Sequence, residues 1–201
     1  GKIEFEVSPE WGRLYEIGTG GVYEPLLLNA LYEILSEDSV FFNIGSRWGI
    51  FSIFAEECGV DNRKIHNFEA DERTFNLLKR NISEDQISNN LYVSDSDSGD
   101  SIKLDSYIKN HEKPTIIKID IEGAEWKAIQ GSRNLLKAHM PELFIEVHPK
   151  YIRDMGGSQD NLFSFLRDIG YELKIVNHRS DSNWTSITDM KIPAEGDYLL
   201  H

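Results

Sequence analysis

Short apolar runs alternating with helically spaced apolar stripes constrain this chain more than any other feature of it. "SVFFNIG", "KIHNFEA", "NLYVSD", "TIIKIDI", "PELFIEVHP" and "YELKIVN" read as strands, the third weaker than the rest. Between them, "WGIFSIFAEECG" carries Ile50, Phe51, Phe54 and Cys58 on one stripe and stops at Gly59. "DERTFNLLKRNI" opens on Asp71 and Glu72, acids that favour a helix N-terminus. Leu104 to Asn110, Ala124 to Ala138 and "DNLFSFLRDIG" complete the helices, and "EPLLLNALYEIL" supplies a covering one through Leu27, Leu31, Ile34 and Leu35. The polar "SDSDSGDS" is a loop. Strands that alternate with helices predict a mostly parallel α/β sheet with helices on both faces.

With 201 residues, 40% of them hydrophobic, the chain is long enough for one domain with its own core and short for two. One compact domain is expected, residues 1–38 forming a leading segment and covering helix and 39–201 the body. Lys plus Arg number 21 and Asp plus Glu 34, a formal charge of −13 spread along the chain, which argues against nucleic acid as a partner. The single cysteine, Cys58, excludes an internal disulfide and suits a reducing compartment; on an apolar helix face it reads as core packing. No apolar run approaches the ~18 residues of a membrane span, and the polar "GKIEFEVSPEWGR" does not read as a signal peptide. A soluble, cytoplasmic protein is expected.

Open parallel sheets bind ligands beyond the carboxyl ends of their strands. At the first such end, "NIGSRWG" sets Gly45 and Gly49 between strand and helix, where glycine lets the backbone approach a ligand. The spacing lacks the third glycine of a dinucleotide fingerprint, and no Gly-Lys-Ser/Thr follows to make a P-loop. Glu69 ends the second strand some 20 residues on, where a carboxylate that grips ribose hydroxyls is expected. In "IIKIDIEGAE", alternation would turn Ile117, Ile119 and Ile121 one way and Lys118, Asp120 and Glu122 the other. Lys118 reads as an ion-pair partner of Asp120 or a neighbouring acid. If "TIIKIDI" and "PELFIEVHP" are neighbours, Asp120 and Glu122 lie beside Glu146 and His148, and carboxylates so crowded repel unless a cation, proton or substrate compensates.

"YEPLLLNAL", "NIGSRWGIFSIFA", "FEADERTFNLLKRNI", "LDSYI", "IIKIDIEGAEWKAIQGSRNLL" and "PELFIEVHP" occur in the order and register of one family. Over roughly Tyr23 to Pro149 the sequence resembles the FkbM-like methyltransferases, which use S-adenosylmethionine. The resemblance implies a class I methyltransferase (Rossmann-like) fold over residues 39–201, with a seven-stranded sheet whose last strand, "GDYLLH", runs antiparallel. It also implies O-methylation of a sugar or polyketide hydroxyl, with a sugar or glycan end as acceptor. Asn43, Gly45, Ser46, Gly49, Glu69 and Asp120 then fall to the cofactor, with Ser94 or Asp95 at the adenine. The chain departs from the family's Asp-x-Gly-Ala-Asn-x-Gly at Asn43, Ser46 and Arg47, and from Phe-Glu-Pro at Ala70. Asn43 accepts a hydrogen bond but carries no charge for the cofactor's ammonium group.

Methyl transfer to a weakly acidic hydroxyl needs alignment and a base. His148 is the first candidate, with Asp120 or Glu122 as alternatives; Asp120, Glu122 and Glu146 are instead the candidate ligands of a Mg²⁺ that would acidify the hydroxyl. Glu125 reads as a complement to its helix dipole. Trp11, Tyr15, Trp48, Tyr151 and Trp184 read as core or rim packing, and His66, His111, His139, His178 and His201 as ordinary histidines. A nicotinamide-dependent oxidoreductase and a non-catalytic glycan- or protein-binding module on the same fold are the rival readings.

Overall fold

The computed structural model describes residues 23–177, 183–187 and 195–201, so Trp11, Tyr15, His178 and the first 22 residues of the leading segment lie outside the described residues. Two compact units divide the chain, one ending at Asn90 and the other beginning at Leu91.

The first unit runs α1 (Pro25–Ile34), β1 (Phe41–Ile44), α2 (Ile50–Glu57), a 3-10 turn (Asn62–Lys64), β2 (Ile65–Phe68), α3 (Glu72–Asn81) and β3 (Ile87–Asn89). β2 lies between β1 and β3 and is parallel to both, in register from Phe41 opposite Ile65 to Ile44 opposite Phe68, and from His66 opposite Ile87 to Phe68 opposite Asn89. The covering helix buries Leu27 and Leu31 as its spacing predicts. α2 buries Phe51, Ser52, Ile53 and Ala55 and leaves Ile50, Phe54 and Cys58 half-buried, a different stripe from the one expected. The reason is that α2 meets α1 as well as β1 and β2, while its Ile53 packs with Leu78 of α3 and with Ile82 just beyond it. Asp71 caps α3, its side chain accepting from the Thr74 N–H at 2.7 Å.

A file of polar side chains crosses this unit. The Asn43 amide donates to Ser52 Oγ at 2.8 Å, and that hydroxyl donates to Asn67 Oδ1. Asn67 Nδ2 donates to Gln86 Oε1 at 3.1 Å, and Gln86 Nε2 reaches Glu56 and Asn62 at 3.2 and 3.0 Å. Asn43, Ser52, Asn67 and Gln86 are all buried, and the file gives each of them a partner.

The second unit contains β4 (Tyr92–Val93), β5 (Ser101–Ile102), α4 (Leu104–Tyr107), β6 (Ile116–Ile119), α5 (Glu125–Gln130), α6 (Arg133–His139), β7 (Glu142–Val147), α7 (Pro149–Asp154), α8 (Gln159–Asp168), β8 (Lys174–Val176), β9 (Thr185–Ser186) and β10 (Tyr198–Leu200). β6 and β7 are parallel neighbours, Ile116 opposite Glu142 through Ile119 opposite Ile145. The expected antiparallel last strand is β10, which pairs with β7 on one side and β8 on the other. β9 extends the edge beyond β8, an addition to the seven strands expected. "NLYVSD" does contain a strand, β4, but it pairs with β5 in a separate ribbon; the strand beside β2 is β3, which the sequence did not mark.

Two expectations need correction here. The helix read as Ala124 to Ala138 is two helices, because a Cβ on Gly131 would lie 1.8 Å from the Ser94 carbonyl oxygen and the chain turns where that backbone presses in. The strand read through Ile121 ends at Ile119, so the alternation of Lys118, Asp120 and Glu122 on one face stops before its last member.

Candidate active site

In the first unit the chain leaves β1 through a loop in which Gly45, Arg47 and Gly49 all take left-handed φ, at 75°, 52° and 91°. Only glycine fits at position 49: a Cβ there would meet Ile82 Cγ2 at 2.6 Å and Leu78 Cδ1 at 3.0 Å. The Ser46 hydroxyl donates to the Asn43 carbonyl at 2.7 Å and accepts from the Phe68 N–H at 3.0 Å, which ties the loop to β2. Asn43 is fully buried, and its Oδ1 has no hydrogen-bond partner. Asn43 and Ser46 are thus engaged inside the unit.

Glu69, at the end of β2, is half-buried; its Oε2 accepts from the Arg47 N–H at 2.9 Å and its Oε1 from the Asp71 N–H at 3.0 Å. Burial raises its carboxyl above the ordinary range, an effect opposed by those two amides. Each oxygen keeps a further lone pair. A carboxylate oriented by backbone beside a glycine turn suits the ribose of a nucleoside cofactor, so the residues present fit S-adenosylmethionine on the ribose side. Asp95, in the second unit, is exposed and accepts from Ser94 Oγ at 3.1 Å.

The other candidate residues meet at the ends of β6 and β7. One residue beyond the paired Ile119 and Ile145 stand Asp120 and Glu146, followed on β7's side by Val147 and His148, which precedes α7. Lys118 is buried and its Nζ donates to Asp120 Oδ2 at 3.1 Å, the ion pair the sequence predicts. After Asp120 the backbone turns through Glu122 at φ 51° and Gly123 at φ 109°. A Cβ on Gly123 would lie 2.6 Å from Tyr151 Cβ and 2.7 Å from the Tyr151 carbonyl carbon, so α7 sits directly on this turn. The Gly123 N–H donates to Glu125 Oε1 at 2.9 Å.

Sequence reasoning missed Glu125 as part of this group. It is not a solvated complement to a helix dipole: it is 0% exposed, and its Oε1 lies 2.7 Å from His148 Nδ1. Its signal was present in the spacing, since Glu125 shares a helical face with buried Ala128 and Ile129. The other ring nitrogen, Nε2, stands 3.7 Å from Glu122 Oε2 and 3.8 Å from Glu146 Oε1. Burial by itself would lower the His148 pKa; the hydrogen bond and charge of Glu125, then Glu146 and Asp120, raise it to about 9.

Ligand atoms of Asp120, Glu146 and His148 lie within 4.8 Å of one another. Glu122, expected in a Mg²⁺ site with Asp120 and Glu146, is not in that trio, and its side chain is 64% exposed. A set of one imidazole and two carboxylates, one of them already paired with Lys118, matches an oxygen-seeking Mg²⁺ poorly.

Among the remaining candidates, Trp48 is buried, and Trp184 meets the His201 ring edge-on with centroids 5.6 Å apart. His66 packs on Phe42 at 4.6 Å and His111 stacks on Tyr107 at 4.0 Å. Tyr151 is 43% exposed, its ring centroid 6.0 Å from that of His148. No helix among the described residues is long and apolar enough to cross a membrane.

Residues 95–173 match the methyltransferase FkbM domain, and no curated protein matches the sequence. Among solved structures, methyltransferase FkbM from Methylobacillus flagellatus is similar with a TM-score of 0.62 at 19% identity over 84% of this chain, which spans 45% of that one. Precorrin-6y C5,15-methyltransferase from Geobacter metallireducens is similar with a TM-score of 0.56 at 15% identity, over 98% of this chain and 92% of that one. Sp1610 from Streptococcus pneumoniae, solved in complex with S-adenosyl-L-methionine, gives 0.51 at 15% identity, over 87% and 70%. At these identities the likeness is one of fold. The FkbM-like resemblance read from the sequence is thus matched by an FkbM domain over residues 95–173, and the fold is the α/β, Rossmann-like one of the similar solved methyltransferases.

Proposed function

We propose that this chain is an S-adenosylmethionine-dependent O-methyltransferase whose acceptor is a sugar hydroxyl at a deoxysugar or glycan end. The observation that carries this reading is the position of His148, buried at the end of β7 with its Nε2 facing the Glu122 and Glu146 carboxylates, within a region that matches the FkbM domain. The cofactor, when bound, supplies a methyl group on a sulfonium whose carbon–sulfur electron pair departs with sulfur. The protein's task is then to hold the acceptor and remove its proton. Glu69, with the Gly45–Gly49 loop, would hold the ribose. His148 Nε2 would take the hydroxyl proton. Asp120, Glu122 and Glu146 would accept hydrogen bonds from the acceptor's other hydroxyls, a role open to carboxylates and suited to a polyol. The charge of −13 disfavours polyanionic acceptors, which supports a neutral sugar over a nucleic acid. Fold alone does not choose the atom methylated, since the similar Geobacter enzyme is named for a methylation at carbon.

Titration calorimetry with S-adenosylmethionine, S-adenosylhomocysteine and NAD is the first test, and binding of the first two without the third is expected. Glu69→Ala should weaken S-adenosylmethionine by roughly 2–4 kcal/mol, the worth of two charge-assisted hydrogen bonds. Radiolabelled methyl donor screened against glycans then identifies the acceptor; methylation of a protein amine or nucleobase, with no glycan labelled, would refute the acceptor class.

A further inference from the structure

We infer that Glu125 is a positioning residue that fixes the tautomer and orientation of His148, so that Nε2 is the nitrogen offered to the acceptor. The inference rests on the reading of His148 as the base. Three observations support it. Glu125 is fully buried on α5 beside buried Ala128 and Ile129, a costlier place for a carboxylate than for an apolar side chain of similar volume. Its Oε1 is held from one side by the Gly123 N–H at 2.9 Å and faces His148 Nδ1 at 2.7 Å on the other, while its Oε2 has no hydrogen-bond partner. The turn that presents it is built for the purpose, with consecutive left-handed residues at Glu122 and Gly123 and no room for a side chain at Gly123 beneath Tyr151.

An ionised carboxylate has acceptor atoms only, so Glu125 can only accept from the ring. Nδ1 must therefore carry a proton, and in the neutral ring the lone pair sits on Nε2. The groups facing His148 come from each surrounding element: Asp120 after β6, with Lys118 paired to it, Glu122 in the turn, Glu125 on α5, Glu146 on β7 and the Tyr151 ring on α7. Tyr198 of β10 lies near Glu125 and donates to Gln159 Oε1 at 3.2 Å, so its hydroxyl proton is directed away from the carboxylate. In the reaction the hydroxyl proton passes to Nε2 and the oxygen's freed pair forms the bond to the methyl carbon as the carbon–sulfur pair leaves with sulfur. The resulting imidazolium faces the Glu125 side chain, which would stabilise it without taking its proton.

The test combines ¹⁵N-histidine NMR of the full chain with kinetics on methyl 6-deoxyglycosides. His148→Asn assigns the resonances. In the unsubstituted protein above about pH 9, where the ring is neutral, Nδ1 should bear a strongly downfield proton and Nε2 none. Glu125→Gln should abolish that signal, return the neutral ring to the Nε2–H form and lower kcat by ~100-fold, with the Kd for S-adenosylmethionine changed by less than ~3-fold. Should that variant fail to fold, Glu125→Asp, which keeps the charge but withdraws it by one methylene, carries the same readouts with a smaller loss. A folded Glu125→Gln that keeps kcat within ~3-fold, or an unsubstituted protein whose Nδ1 bears no such proton, overturns the inference. If the signal is present and no acceptor of any kind is methylated, the failure is that of the proposed function.

Discussion

Gly123 and His148 show how much of this site is decided by single residues. A methyl group on Gly123 has to displace the Tyr151 backbone and tolerate φ 109°, so Gly123→Ala should cost about 2–4 kcal/mol and shift the Glu125 carboxylate with it. A fall in Tm accompanied by loss of the Nδ1 proton signal would show both effects. For His148 the folded pKa of about 9 lies above its ordinary value of 6.5, and the sign of that shift fixes two outcomes. A base must be neutral to act, so kcat/KM should climb with pH through about 9, where an unperturbed histidine would have levelled off near 6.5. Because folding raises the pKa, the stability His148 contributes is complete below pH 6.5 and is lost as pH rises through about 9; His148→Asn should flatten the fall in Tm across that window. Chelators should leave the rate unchanged, since the base reading routes no step through a metal, and loss of activity in EDTA restored by a divalent ion would overturn it.

Among elements, α6 is instructive because it has no cap of its own. Asp105, at the start of α4, supplies one from 29 residues away, accepting from the Asn134 N–H at 3.1 Å and side-chain amide at 2.9 Å, and from the Leu135 N–H at 2.8 Å. Asp105→Ala should cost about 1–2 kcal/mol in thermal or urea melts while leaving S-adenosylmethionine affinity intact. Elements with strong apolar periodicity were legible in the sequence: β1, β2, β6 and β7 fall within their predicted runs, and α8 begins one residue before its own, at Gln159. β3 was not, because "ISN" offers one apolar residue and is only half-buried along its length. α7 was missed because its Pro149 stands next to a strand, where proline reads as a stop as readily as a first helical residue. The helix break at Gly131 depends on the Ser94 carbonyl, which no local pattern announces.

For the molecule as a whole, charge sets the expected response to salt. With 34 acids against 21 bases, self-repulsion opposes the compact state, and raising salt from 0.05 to 0.5 M should screen it and raise Tm by roughly 2–4 °C, the effect of ~1 kcal/mol at this size. Fold class was legible because strand–helix alternation survives errors at any one element. The site was legible in part: adjacency of β6 and β7 predicted that Asp120 would stand near Glu146 and His148, whereas the Glu125 contact needed the turn geometry, and Asn43 needed the interior. The polar file from Asn43 through Ser52, Asn67 and Gln86 also works as a register key. Strand residues alternate faces, so a slip of β2 by one position against β1 would turn Asn67 away and present a neighbour such as Phe68 to the Ser52 hydroxyl. Gln86 and Ser52 would each lose a buried partner, at about 1–3 kcal/mol apiece. An apolar strand pair would forgive such an error; this one excludes it, and the polar residues inside the first unit act as a proofreading device for how its strands assemble.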